Sequence, residues 1–327
     1  GSEHEERLND LEIKINNEID SAESESDKAI ESLNLDVVRM ALSKLKTGKN
    51  DVSGNFSSDC LKAAPVNFCE RLVDLFRMYL RHGYCPDILL ACALTPLVKD
   101  PNGDICASKN YRAIGISSII LKIFDLCILT LFCDELGYDP LQYGFEKGSS
   151  TVQCTWTVMK VTSYFLRKNW DVYCCLLDFS KAFDKVNFCE LFKKLIDRKI
   201  PFIIIRLLLY IYKKQKCCVK WNNKKSDYFT IKNGGRQGAG VSPKLFCIYL
   251  DTLLKNLKTS GLGCHLGQVF LGAFGYADDI LLLAPTRHAL QLMLNICQEF
   301  AETHDMLFST DPNPKKSKTK CLYFTTK

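Results

Sequence analysis

Asp278 and Asp279 stand side by side between two largely apolar segments, Phe274-Gly275-Tyr276-Ala277 before them and Ile280-Leu281-Leu282-Leu283 after. Such segments seek burial, so the aspartates between them belong at a tight turn that faces a cleft. Two adjacent like charges repel there, and a cation relieves the cost. Asp178 closes another apolar run, Val172-Tyr173-Cys174-Cys175-Leu176-Leu177, in the same manner. If the two strands are neighbours, three carboxylates converge. An oxygen-only set of this kind suits Mg²⁺, which demands a near-octahedral shell and keeps phosphate oxygens in it. Two such ions roughly 3.5–4 Å apart can activate an attacking oxygen and stabilise the leaving one. Taken alone, Asp278-Asp279 reads at least as well as an ordinary polar turn.

The elements that must position these groups can be read from periodicity. Residues 5–46 read as two helices joined near Ser24–Ser26, and Ser58–His82 as a helical stretch. Leu94–Val98, the turn Asp100-Pro101-Asn102-Gly103 and the return through Tyr111-Arg112-Ala113-Ile114 outline a hairpin with a basic residue on each arm. Helices follow over Ser117–Leu136 and Ser150–Leu166. The apolar run 172–177 has the composition of a strand covered on both faces. Helices over Phe188–Arg198, Phe202–Lys213, Pro243–Lys258 and Ala289–Thr303 alternate with strands over Cys218–Trp221, Asp227–Ile231, Gln268–Phe274, Ile280–Leu283 and Thr319–Phe324. Interleaved strands and helices imply a layered α+β or α/β fold.

The chain has 327 residues, 47% of them hydrophobic and 24% charged, enough for a sizeable core. Its net charge of +6 is uneven. Residues 1–31 hold eleven acids and three bases, so the rest of the chain is strongly basic, as suits a phosphate-backbone partner. The 17 cysteines form no C-x-x-C pair, and several sit in apolar runs. Free thiols in an intracellular compartment, nucleus or cytoplasm, are the expectation. No apolar run reaches membrane-spanning length. The basic stretch Lys213, Lys214, Lys216, Lys220, Lys224 and Lys225 is interleaved with Tyr210, Tyr212 and Trp221. Such a mixture suits single strands and RNA–DNA hybrids, and equally a plain surface with snorkelling lysines.

Tyr276-Ala277-Asp278-Asp279 resembles the YxDD signature of reverse transcriptases. Leu177-Asp178-Phe179-Ser180-Lys181-Ala182-Phe183-Asp184 resembles the same family's first aspartate motif. Gly235-Arg236-Gln237-Gly238 with Ser242-Pro243 is similar to the motif lining nucleotide and template. Asn313 with Lys316-Ser317-Lys318 is similar to the lysine motif after the catalytic hairpin. Lys99 and Tyr111-Arg112 match the fingers hairpin. The features occur in the family's order over roughly 94–325, and their wording is that of the non-LTR (LINE-type) branch.

The resemblance implies the fingers and palm of a right-hand polymerase, an α+β fold whose palm is an antiparallel sheet backed by helices, with the thumb absent. It implies an N-terminal helical extension over 1–46 and fingers over 47–170, with part of the palm from about 115. The palm is expected over 171–327, with a fingers insertion near 185–240. The implied activity is RNA-directed synthesis of DNA: transfer of dNTPs to a primer 3′-hydroxyl, on an RNA template or RNA–DNA hybrid. Asp178 and Asp278 would be the main ligands of two Mg²⁺ ions, with Mn²⁺ able to substitute. Asp279 would support them, and the backbone carbonyl of Phe179 would complete one shell. Lys99 and Arg112 would neutralise the triphosphate, and Phe183 would exclude a 2′-hydroxyl. Gln237 would contact the nucleotide, Arg236 the strand or fingers, and Gly238 would let backbone approach a base pair. Lys316 or Lys318 would protonate pyrophosphate or hold phosphate. Lys213, Lys214, Lys216 and Tyr276 are the nucleic-acid candidates. Two departures stand out: Ala239-Gly240-Val241 where the family is more apolar, and Asp51-Val52-Ser53-Gly54, a loose form of an early loop motif. With no thumb or endonuclease in the sequence, low processivity is expected unless these are supplied elsewhere. A catalytically silent relative that binds RNA or a protein is the alternative.

Overall fold

The computed structural model describes every residue except Gly1, Asn55, Lys147, Asn223, 314–316 and Lys327. Three helices open the chain, α1 (Ser2–Ser21), α2 (Glu23–Ser32) and α3 (Leu35–Lys44). The breaks fall at Ala22 and Asn34 rather than inside the serine-rich joint. Asn34 sets the second break, because its side chain accepts from the Val37 N–H and caps α3. The stretch after Ser58 is likewise two helices, α4 (Ser58–Lys62) and α5 (Val66–His82), separated at Pro65. There follow β1 (Ala91–Val98), β2 (Tyr111–Ser117), α6 (Ile119–Leu131), α7 (Thr151–Arg167) and β3 (Val172–Asp178). Ser150 and Gln153 form a reciprocal capping box that starts α7. Next come α8 (Phe188–Asp197), α9 (Phe202–Lys214), β4 (Lys216–Trp221), β5 (Lys224–Lys225), β6 (Phe229–Thr230) and α10 (Ser242–Thr259). The chain closes with β7 (His265–Leu266), β8 (Val269–Phe270), β9 (Ala273–Tyr276), β10 (Asp279–Ala284), α11 (Arg287–Thr303) and β11 (Lys320–Phe324). One strand expected over Gln268–Phe274 is therefore two. At Leu271–Gly272 the chain changes partners: the Leu271 N–H donates to Cys264, while the Gly272 carbonyl accepts from Leu283.

Two compact units result, each built from two chain segments. One comprises Gly1–Leu136 with Leu191–Ser242, the other Gly137–Glu190 with Pro243–Lys327. In the first, the strands run β2-β1-β4-β5, with β6 also on β4. β1 pairs antiparallel with β2 and parallel with β4. Helix α6 lies against α3, and the buried rings of Phe76 on α5 and Phe124 on α6 meet edge to face at 5.4 Å. The acidic start is no free arm, since Leu8, Leu11 and Ile15 are buried and α1 packs along α9.

The second unit is an antiparallel sheet in the order β11-β3-β10-β9. Val161 and Phe165 of α7 join Val172, Cys174, Phe274 and Leu283 in one buried cluster, while α11 packs on β3 and β10. Val172, Cys174, Cys175 and Leu177 are all buried, so both faces of β3 are covered, as its apolar composition requires. All 17 cysteines are free thiols. No helix among the described residues is long and apolar enough to cross a membrane.

Candidate active site

The sheet of the second unit brings the aspartates together. β10 pairs with β3 so that Asp279 lies directly opposite Asp178, and with β9 so that Asp279 lies opposite Tyr276. Residues opposed on antiparallel strands share a face, with Cβ atoms roughly 4.5–5.5 Å apart. Ala277 and Asp278 form the connecting turn, and Ala277 takes the left-handed conformation at φ 56°. One buried carboxylate oxygen of Asp178, Oδ2, accepts no hydrogen bond, and the Lys318 ammonium is its ionic neighbour at 3.5 Å. Burial pushes the Asp279 carboxyl above the usual carboxylate range, the charges of Asp278 and Asp178 push it further, and Lys318 opposes them. An orphaned carboxylate oxygen beside a like-charged neighbour fits a cation. Among the described residues no three ligating side chains enclose an ion by themselves. Carboxylate oxygens are donors of the kind a hard divalent ion takes, with water and phosphate able to fill the rest of its shell.

Sequence reading missed the groups that hold this turn. Gln142 donates from Nε2 to the Ala277 carbonyl at 3.1 Å and accepts the Ala277 N–H on Oε1 at 2.8 Å. One amide thus holds both backbone groups of the strained residue beside Asp278. Its backbone is fixed in turn, because the Tyr143 N–H donates to Gly275 and the Gly275 N–H to Leu141, each at 2.8 Å. A Cβ on Gly144 would lie 2.2 Å from the Ala277 nitrogen, so only glycine admits the approach. The one local signal was Gln142-Tyr143-Gly144 itself, a polar–aromatic–glycine run without periodicity. At the other strand end, the Ser309 N–H donates to the Asp178 carbonyl at 2.7 Å and the Ser180 N–H to Leu307 at 2.8 Å. The Phe179 ring is buried and stacked on Phe308 at 4.5 Å, so backbone is what Phe179 can offer a ligand.

Phe183 lies in the same unit, on the short turn Ala182–Lys185. Its half-buried ring rests against buried Phe246 with centroids 5.6 Å apart, so one side is backed and the other is accessible. Tyr276 is half-buried at the end of β9. Lys316 lies outside the described residues.

The remaining candidates belong to the first unit. Lys99 follows β1 and donates its ammonium to the Lys109 carbonyl, and Arg112 pairs in register with Leu97; both are exposed. Gly238, at φ 76°, bonds through its carbonyl to the Ser117 hydroxyl at 3.0 Å. A Cβ on Gly238 would meet the Gly115 carbonyl oxygen at 2.3 Å, and one on Gly115 would meet Gln237 at 2.6 Å. The Gln237-Gly238 segment is therefore seated on the hairpin strand that carries Arg112. Arg236, expected at the strand or the fingers, has its partner within this first unit. Its guanidinium is buried against Asp125 at 2.7 Å, with 1% and 0% of the two side chains exposed. The same carboxylate oxygen accepts the Gly240 N–H at 2.8 Å. Burial raises the Asp125 carboxyl, while Arg236 and the amides of Gly240 and Val241 pull it back down. Stranding either charge would cost about 3–5 kcal/mol, so the pair is scaffold for the loop that carries Gln237. The basic stretch is also partly answered from within: Lys213 pairs with Glu12, and Lys216 with Asp87 at 3.1 Å, while Lys214 is exposed.

Comparison with known proteins bears on family and fold. Residues 98–321 match the family described as reverse transcriptase (RNA-dependent DNA polymerase). The Pol polyprotein of type-1 retrotransposable element R2 from Nasonia vitripennis is 26% identical over 248 residues, which are 76% of this chain and 23% of that protein. The RNA-directed DNA polymerase from mobile element jockey of Drosophila funebris is 25% identical over 277 residues, 82% of this chain and 30% of that one. The chain thus spans less than a third of the length of either relative. Among solved structures, telomerase from Candida tropicalis in complex with the TWJ fragment of telomeric RNA shares the fold. The TM-score is 0.51 at 13% identity, over 82% of this chain and 45% of that one.

Proposed function

This chain belongs to the reverse transcriptase (RNA-dependent DNA polymerase) family, in the company of non-LTR retrotransposon polymerases, and from that premise we propose that it carries the nucleotidyl-transfer centre of such an enzyme. The observation that carries the reading is the direct opposition of Asp178 and Asp279, with Asp278 in the turn between β9 and β10.

Asp178, Asp278, Asp279 and the Phe179 carbonyl would hold two divalent ions, Mg²⁺ or Mn²⁺. When bound, such ions supply activation of a primer 3′-hydroxyl and charge neutralisation at the leaving pyrophosphate. The chain's own residues do the rest. Gln142 keeps the turn in the one conformation that presents Asp278. Lys318, already beside Asp178 at 3.5 Å, is a cation able to donate a proton to departing phosphate. Lys99 and Arg112, on the two arms of an exposed hairpin, offer positive charge to a triphosphate. The Phe183 ring, supported by Phe246, would stand against the nucleotide sugar, exclude a 2′-hydroxyl and so select dNTPs. Template RNA and a DNA primer are the implied partners. In this reading the first unit is the fingers and the second the palm.

Primer extension on an RNA template with Mg²⁺ tests the proposal, with dNTPs and NTPs compared in parallel. Asp278→Ala should lower incorporation on the order of a thousandfold without changing primer–template binding. Incorporation that survives this substitution would place the chemistry elsewhere.

A further inference from the structure

The first unit contains a cavity of about 320 Å³ on whose walls four lysines meet: Lys44, Lys46, Lys49 and Lys122. No carboxylate lines it among the described residues. We propose that this cavity binds a backbone phosphate of an unpaired nucleic-acid strand, next to the Gln237-Gly238 segment.

The lysines stand on a fixed platform. The Gly48 N–H donates to Asp59 Oδ2 at 2.9 Å and the Lys49 N–H to Ser58 Oγ at 3.0 Å, while the Ser58 N–H returns to the Lys49 carbonyl at 2.8 Å. Asp51, in the early loop whose role the sequence left open, accepts the buried Ile119 N–H at 2.8 Å and so caps α6. The loop bearing Lys46 and Lys49 is thereby docked on the helix bearing Lys122, and little ordering remains to be done on binding.

Among the described residues no carboxylate lines the cavity to pair with these charges. Lys44 donates to a neutral partner, the Thr130 hydroxyl at 2.8 Å. Burial pushes the Lys122 ammonium below the usual lysine range. Asp125 opposes that push, and Lys49, Arg236 and Lys46 add to it. Asp125 is itself already bonded to Arg236 and to the Gly240 N–H. Converging cations in a concave, partly desolvated place favour an anion for the reason that converging aspartates favour a metal.

Position identifies the anion. Ala239 and Gly240 line the cavity and directly follow Gln237-Gly238. A strand whose base lies against Gln237 continues within reach of the lysines, and an unpaired backbone can bend to lower a phosphate into a concavity. This step rests on the proposed role of Gln237; the charge cluster itself does not.

The test is binding, without dNTPs and in EDTA, of the full chain to an RNA–DNA hybrid, blunt or with a short 5′ template overhang. The wild type should favour the overhang, and Lys46→Gln/Lys49→Gln should remove the preference. Its salt slope should fall by about 0.7, the share of one phosphate of a single strand. An unchanged slope and preference overturn the proposal, as does inorganic phosphate that competes as well as the overhang, the mark of a free-anion site. Photoactivatable thiouridine in the overhang gives a readout free of any substitution. Crosslinks are expected at 44–49 or near Lys122, and crosslinks confined elsewhere sink the idea. Lysine-dependent overhang binding by a chain inactive in extension would preserve this site and refute the catalytic reading. Extension with overhang binding indifferent to the lysines would do the reverse.

Discussion

Asp279 sits where burial, Asp278 and Asp178 all disfavour its charge, with Lys318 alone in opposition. A raised carboxyl lowers stability once it ionises. Its favourable contribution is complete at low pH and is lost as pH rises through the folded-state value. At neutral pH without metal, Asp279→Asn should therefore stabilise the protein. The gain should be below about 1 kcal/mol, because the exposed group is screened by solvent, and it should vanish on acidification. Mg²⁺ should raise the melting temperature of the wild type more than that of the variant. A gain over wild type no larger at pH 7 than at pH 4 would mean that these carboxylates do not repel one another. The aspartates were legible in the sequence because a charge between apolar runs is a local anomaly. Arg236 was not, because its meaning depends on Asp125, the one acid in a largely apolar helix of distant sequence. Phe183 lies between: its position after Asp178 was visible, but the Phe246 ring behind it required the fold.

Elements carry their own lesson. The strand 172–178, the fingers-type hairpin and most helices were readable, since burial on one or two faces leaves a period and caps such as Ser150 mark the ends. What escaped were breaks that depend on partners, Asn34 capping α3 and the change of pairing at Leu271–Gly272. Gln142 escaped for the same reason, because its partner Ala277 is 135 residues away. It is a positioning residue for the β9–β10 turn. Gln142→Leu removes both bonds from a left-handed residue and frees the turn. Gln142→Glu keeps the acceptor for the Ala277 N–H but sets a carboxylate against its carbonyl and adds charge near Asp278. Both variants should lower kcat by about 10–100-fold with KM for the primer–template little changed. Gln142→Glu should also change the Mg²⁺ dependence and regain activity at lower pH, where the added carboxyl is protonated and can donate to the Ala277 carbonyl. A purely structural role would lower the melting temperature of both equally and leave the metal dependence alone.

On the scale of the whole chain, charge is distributed so that the acidic start answers part of the basic body. In the first unit, Glu12 of α1 pairs with Lys213 and Glu5 with Lys232, the latter at 2.7 Å. Hydrogen bonding to Lys232, reinforced by its charge, holds the Glu5 carboxyl below its usual range. The apolar side of α1, with Ile15 fully buried, keeps the helix on α9, so these pairs are incidental to its attachment. If Lys213 and Lys232 lie on the proposed nucleic-acid path, these pairs withhold them from a phosphate backbone. Glu5→Gln/Glu12→Gln should leave the fold intact, since exposed ion pairs contribute little. It should raise affinity for single-stranded RNA and steepen its salt dependence by about 1.4, from two freed lysines at about 0.7 each. Glu6→Gln removes the same kind of charge from an exposed position on the same helix and should give no change in slope. If the double variant and Glu6→Gln bind alike, the acidic helix acts only through net charge, and Lys213 and Lys232 lie outside the nucleic-acid footprint. If the double variant alone gains, the first twelve residues set how much of the basic surface is open to RNA, and weak non-specific binding is a built-in consequence of how this chain packs.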